Sequence, residues 1–402
     1  MKKITTTIVC VLAALLSASV VHAENISMND DAVFMDKSVV DTVMNVVEAH
    51  ITEIDTGSDG GEYLSVDNNL KTYLSDKEDV VEITVPKNNY NLDITVKDYQ
   101  DKDTVVYLQL GLKASWNYVE DIDSGYGKLI EVLVDKANGK IVDIYDRTNM
   151  FDIAVRGDTL DLSKASVGIS PELVRTAKQT YLQSQADAAI SVAEAIERDE
   201  EELAQRNSMN ASRSTNASYT WIYHEDVVEW ARDNYDQDEP TSGNPDVDYI
   251  DFYMPDIYAY DCTNFVSHAL LAGDARVYDT GGSGISSTGW YCRDMNNRSS
   301  SWTGVANLHS FVTSNTTYGP GGFSMTWSYS YTAWEPGDFI QFHNGSTWRH
   351  SAVITDTLTT ANGVVPLVTG RTGDDWYNNN ELATDVYGSN AKRILHLYNY
   401  YS

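Results

Sequence analysis

The sequence predicts an α+β protein built in two parts, and three observations carry that reading. Between residues 92 and 145, runs of alternating apolar and polar residues follow one another, the mark of a sheet with one wet face. Near Tyr219 the composition changes to one rich in Trp, Tyr, Gly and Ser. Beyond that point a cysteine opens a helical pattern at Cys262, and 88 residues later a histidine, His350, opens a strand pattern.

Taken from the first residue, the chain begins with a basic pair, Lys2 and Lys3, an apolar core from Ile8 to Leu16, and the small-residue site Val21-His22-Ala23. This reads as a secretory signal peptide over residues 1–23, cut after Ala23. The apolar stretch is too short to span a bilayer, and no later run of about 18 apolar residues appears. A secreted, soluble protein with no membrane span is expected. Cys10 lies inside the apolar core and not at its end, which argues against a lipid anchor.

The first part, residues 24–165, reads as a small α+β domain. A helix is predicted over Asp36–Glu53, where Val40, Val43, Met44, Val47 and Ile51 recur at helical spacing. Strands follow around Leu92–Val96, Val106–Leu112, Leu129–Asp135 and Ile141–Tyr145, the last two joined across Asn138-Gly139, which supplies the positive φ of a hairpin turn. No cluster of His or Cys occurs here, so no chemistry is assigned to it. Ser170-Pro171-Glu172 then has the form of a helix start, and a helical spacer is predicted over 170–206. Its sparse apolar positions keep no heptad. Residues 207–218 have the Asn/Ser/Thr/Ala composition of a flexible linker.

Formal charge is −31, or −33 once Lys2 and Lys3 are removed, a field that repels nucleic acid and anionic lipid. The acidic loop Asp236–Asp256 matches no EF-hand spacing and reads as a solvated loop, so no metal and no cofactor is expected.

The second domain, residues 219–402, opens with a helix over His224–Tyr235 and carries the chemistry. Cys262 stands in the first turn of a helix that runs through Phe265, Val266, Ala269 and Leu270 to a stop at Gly273, with Asp261 at the N-cap. Free backbone N–H groups and the positive end of the helix dipole favour a thiolate there, and the same N–H groups can receive an oxyanion. The Asp261 carboxylate works against a low thiol pKa, which increases the need for an imidazole partner. His350 is the best candidate for that base, held at a strand start after Gly337-Asp338 and the Gly345-Ser346 turn; His343 is second. A nucleophilic cysteine followed by a separate histidine base is the order a papain-like cysteine hydrolase needs. Cys292 is the one possible disulfide partner of Cys262 after signal removal, and the helix context favours free thiols.

The run Asp261-Cys262-Thr263-Asn264-Phe265-Val266-Ser267, followed by Trp334-Glu335-Pro336-Gly337-Asp338 and His350-Ser351-Ala352-Val353-Ile354, resembles the putative amidase domain family of bacterial secreted proteins, itself similar to the papain-like NlpC/P60 and CHAP groups. The resemblance covers Tyr219 to the C-terminus. It implies Cys262 as nucleophile, His350 as base, Asp261 and Asn264 as residues that shape the turn, and amide bonds in cell-wall peptides as substrate. The chain departs from the family at Arg371, where a histidine is often found; a guanidinium cannot accept the imidazole N–H, so orientation would fall to Thr369, Asp374, a carbonyl or water. The rival reading is a non-catalytic cell-surface or wall-binding module that uses the aromatic residues of the same fold.

Overall fold

The computed structural model describes residues 37–58, 65–80, 85–119, 122–157, 169–210, 218–253, 261–328, 334–373, 375–386 and 390–401. The expected signal peptide, most of the linker and Asp374 lie outside the described residues. In chain order the elements are α1 (Lys37–Thr56), α2 (Asn68–Glu78), β1 (Asn88–Asp101), β2 (Val105–Asn117), β3 (Asp123–Asp135), β4 (Ile141–Asp146), α3 (Met150–Arg156) and α4 (Pro171–Asn210). They continue with β5 (Ser218–Trp221), α5 (His224–Asn234), α6 (Cys262–Ala272), β6 (Cys292–Asp294), β7 (Asn297–Arg298), α7 (Ser300–Thr303) and α8 (Val305–Ser314). The last are β8 (Gly319–Thr326), β9 (Phe339–His343), β10 (Trp348–Thr360), β11 (Gly363–Gly373), β12 (Trp376–Leu382) and β13 (Lys392–Tyr401).

The architecture is mixed α+β around one large antiparallel sheet. Its strands run β1-β2-β3-β12-β11-β10-β9-β13-β5, with β4 also on β3 and β8 also on β13. The alternating runs at the start of the chain form β1 to β4, and the Asn138-Gly139 turn closes with Gly139 at φ +70°. One edge of β3 is divided between two partners: β4 pairs with residues 130–134, and β12 pairs with Gly125, Tyr126 and Gly127. Through that second pairing the meander and the C-terminal strands become one sheet. Gly127 is required there, because a Cβ would stand 2.5 Å from the Tyr377 ring.

Period-2 alternation assigns the two faces of the C-terminal strands. Phe339, Val353, Leu395 and Leu397 pack with α5, α6 and α8 residues such as Val227, Phe265, Leu270 and Leu308. Their neighbours Ile340, Phe342, Ala352, Ile354 and Ile394 pack in the same core as Val47, Leu110 and Ile130 of the N-terminal part. The strands are therefore buried on both sides, by helices on one and by the N-terminal part on the other. Helix α1 contributes Val40, Val43, Val47 and Ile51, the residues whose spacing predicted it. Helix α4 extends to Asn210, into the segment whose composition suggested a linker.

Among the described residues no helix is long and apolar enough to cross a membrane, and no group of His, Cys, Asp or Glu is arranged to hold a metal ion.

Candidate active site

Helix α6 begins in the gap where β10 and β11 part. Those strands are paired from Val353 and Thr369 onward. Beyond that point the Asp261 N–H donates to the Thr372 carbonyl of β11 at 3.2 Å, and the Cys262 thiol reaches β10, 4.0 Å from the Arg349 carbonyl oxygen. The Ser351 N–H donates to the same sulfur. Cys262 thus touches the main chain on both sides of His350. Its hydroxyl neighbour is Thr263, at 3.9 Å, and Thr263 in turn meets Ser351 at 3.1 Å, which fixes the first turn of α6 against β10.

His350 is the third residue of β10 and not its first. It shares the parity of Ala352 and Ile354, and its ring lies over Phe342, with centroids 5.7 Å apart. Nδ1 faces the Thr372 hydroxyl at 3.4 Å. Nε2 lies over Gly370, where an added Cβ would stand 3.2 Å away. Gly370 is the cross-strand partner of Asn378 on β12, and the Asn378 side chain acts on the imidazole so as to favour its protonated form. The Asn378 amide also donates to Glu381. Asn378 is the polar neighbour of the histidine that the sequence reading missed; it sits in a run of three asparagines that carries no alternation.

The remaining sequence candidates are placed as follows. Asp261 makes no side-chain cap for α6; its carboxylate instead accepts from the Tyr249 hydroxyl, from Phe252 N–H at 3.0 Å and from Asn264 Nδ2 at 2.8 Å. Asn264 also donates to the Ile250 carbonyl and accepts from Trp302 Nε1 at 2.6 Å, so it ties the helix start to the loop before it. Thr369 turns to Thr355 at 2.9 Å and accepts from the Asn380 N–H, and these are its side-chain partners. Arg371 is fully buried, 3.7 Å from Asp261 and 3.6 Å from Asp251, and donates to the Gln237 carbonyl. Asp338 caps its own turn through Glu335 N–H and pairs with His396 at 2.8 Å. His343 accepts from Gly345 N–H, and His268 is stacked on Tyr249 and Trp230. Gly273 follows α6 with φ −77°; a Cβ there would strike Ile222 and Val227 at 2.6 Å, and it is Asp274 that takes the left-handed conformation. Cys262 and Cys292 are both free.

Electrostatics correct one expectation. Burial pushes the Cys262 thiol up, outweighing the Ser351 N–H, the Thr263 hydroxyl and the Thr263 N–H that favour the thiolate, while the Asp261 charge raises it further. Burial also pulls His350 down to about 4, against the Asn378 side chain. The imidazole is not among the hydrogen-bond partners of the thiol. Burial thus favours the neutral form of each group, against the thiolate that a helix N-terminus alone suggests. Asp261 is itself raised to about 7, first by burial and then by Asp251, with Tyr249, Phe252 N–H and Arg371 opposing.

A family model described as "Putative amidase domain" matches residues 222–398, less than half of the chain and the whole of the segment just described. Neither a search of curated proteins nor one of solved structures returned a match. The matched segment is similar to an amidase domain, which suggests amide-bond hydrolysis and makes the C-terminal part the hydrolase-like part of the molecule.

Proposed function

We propose that the protein is a secreted, cysteine-dependent amidohydrolase of papain-like type, acting on amide bonds of cell-wall peptides. The observation that carries the reading is the packing of the Cys262 thiol against the main chain on both sides of His350, within the segment similar to an amidase domain. The imidazole takes the thiol proton as sulfur attacks the carbonyl carbon. It then returns that proton to the departing amine, leaving a thioester. Water, deprotonated by the same imidazole, attacks the thioester; the acid leaves and the thiol is reformed. Asn378 positions the ring for these transfers.

The test compares turnover of cell-wall peptide fragments by the wild-type chain, Cys262→Ala and His350→Ala. Both variants are expected to lose on the order of 10³-fold or more, as when a nucleophile or its base is removed; equal turnover in all three would sink the assignment.

A second reading, a wall-binding module without catalysis, is favoured by the raised thiol pKa and the lowered imidazole pKa. Iodoacetamide separates the two. Labelling of Cys262 near neutral pH that slows in His350→Ala marks an assisted nucleophile, and equally slow labelling in both marks a binding module.

A further inference from the structure

The N-terminal part does more than cover the sheet. Between it and the C-terminal strands lies a cavity of about 710 Å³, on the face of β10 toward which His350 points. That volume falls within the roughly 300–1,000 Å³ of small-ligand sites. One end is polar and reaches the imidazole side of the candidate active site: His350, Thr372, Asn378 and Glu381 line it, and Cys262 does not. The other end is apolar, walled by Phe151 of α3 and by Tyr181 and Leu182 of α4; the Phe151 and Tyr181 ring centroids are 5.3 Å apart.

Two carboxamides in the wall are left incompletely paired. Asn390 is 3% exposed, and its Nδ2 is spent on the Met150 sulfur at 3.4 Å, while its Oδ1 accepts nothing. Gln185, one turn beyond Tyr181 on α4, holds both amide atoms away from solvent with no hydrogen bond. A buried amide left unpaired costs about 1–3 kcal/mol, so such groups ordinarily face something that satisfies them. What satisfies a carboxamide at both ends is another amide, which donates and accepts in one plane.

We propose that this cavity binds a short peptide, its backbone amides paired with Gln185 and Asn390, an aliphatic side chain against Phe151, Tyr181 and Leu182, and one peptide bond delivered to the His350 end. The N-terminal part is thereby the substrate-binding half of the molecule. This rests on the amidohydrolase reading for the fate of the peptide, but not for its binding.

The experiment uses the full chain carrying Cys262→Ala, so that nothing is consumed, and titrates two probes: stem-peptide fragments freed of glycan, and glycan fragments freed of peptide. Trp327 and Trp376 line the cavity and report by fluorescence, with calorimetry alongside. Saturable binding of the peptide is expected, weakened tenfold or more by Gln185→Met and by Asn390→Leu. Because Asn390 is buried and its variant can fail to fold, Gln185→Met on the half-exposed face of α4 keeps the test open. Absence of saturation, or unchanged affinity in Gln185→Met, overturns the proposal, and binding of the glycan alone overturns its ligand class. Turnover by Cys262→Ala would overturn the cysteine mechanism while leaving peptide binding intact, so the two failures are told apart.

Discussion

The two faces of the C-terminal strands are buried by different means. Toward α6 the buried polar groups are mostly neutral and closely paired: Thr263 with Ser351 at 3.1 Å, Ser267 with the Trp302 carbonyl at 2.9 Å, Trp302 with Asn264 at 2.6 Å, with Arg371 and Asp261 the ionic pair among them. Toward the N-terminal part the interior is ionic. Lys77 pairs with Asp152 at 2.8 Å, Lys128 with Asp146 at 3.0 Å, and Lys87 reaches both Asp55 and Asp385 across the boundary. Each side is built for a different task. Neutral, short hydrogen bonds hold one thiol in one place, whereas buried charges demand partners at fixed positions and keep a polar, incompletely filled space open beside His350.

The largest test of that contrast lies in the ionic half. Asp152 accepts from Lys77, from the Tyr73 hydroxyl at 2.8 Å and from Asp146 N–H at 3.0 Å, and Lys77 is fully buried. Asp152→Ala leaves that ammonium uncompensated and is expected to cost about 3–5 kcal/mol in urea unfolding. The double variant Lys77→Met, Asp152→Ala should recover much of the loss. A single-variant cost below about 1 kcal/mol, the range of exposed pairs, would break the comparison.

Acid should distinguish the faces next. His350 is held at about 4 in the folded chain, below its ordinary 6.5, so between those values the unfolded chain binds the proton and the folded chain does not. Its contribution to stability is present above pH 6.5 and is lost as pH falls toward 4, by up to about 3 kcal/mol at 1.36 kcal/mol per pKa unit. Asp261, raised to about 7, runs the other way, favouring the folded chain as pH falls from 7 toward 3.8. The His350 part is therefore read as the difference between wild type and His350→Gln, which should shift against wild type as pH falls through that window. A parallel pH dependence would mean that the ring is not desolvated by the N-terminal part.

Asn378 comes third. It acts on the imidazole from β12 and hands its own amide to Glu381, a carboxyl that burial raises to about 7. Asn378→Ala should lower kcat about 10- to 100-fold, roughly 1.4–2.7 kcal/mol, move the acid limb of the pH profile and leave KM unchanged. Thr369→Val, which removes no imidazole partner, should leave that limb where it is. If KM moves and the profile does not, Asn378 serves the cavity and not the base.

Residues that signal by local pattern were legible in the sequence; those that depend on distant pairing were not. The meander, α1, α5 and α6 follow from periods of 2 and 3.6, and Cys262 and His350 stand out by their positions in such patterns. The short α2 and α3 rest instead on packing and on caps from Asp67 and Asn149. Strand β12, with three consecutive asparagines, has poor strand propensity and is held by neighbours on both sides, so neither the continuous sheet nor Asn378 was visible. Arg371 was read as displacing a partner of the histidine, whereas the fold turns it into the buried counter-charge of Asp261. The helix start favours a thiolate, and burial, which no linear pattern reports, works against it.

The smallest effect is expected on the neutral face. Thr263 is fully buried, and its hydroxyl joins α6 to β10 through Ser351. Thr263→Val removes that bond with little change of shape, but Ser351 keeps a second partner in Gln341 Nε2 at 3.2 Å, so no group is orphaned. The expected cost is about 1 kcal/mol, the net worth of an ordinary hydrogen bond. The thiol also loses a hydroxyl neighbour that favours its ionised form, so labelling of Cys262 should slow slightly at a given pH. Read beside Asp152→Ala, the outcome grades the two faces on one scale. A loss as large as that of the ionic pair would mean that the α6 face, too, depends on a single irreplaceable contact, and a loss near 1 kcal/mol with a small labelling change places its rigidity in many modest bonds.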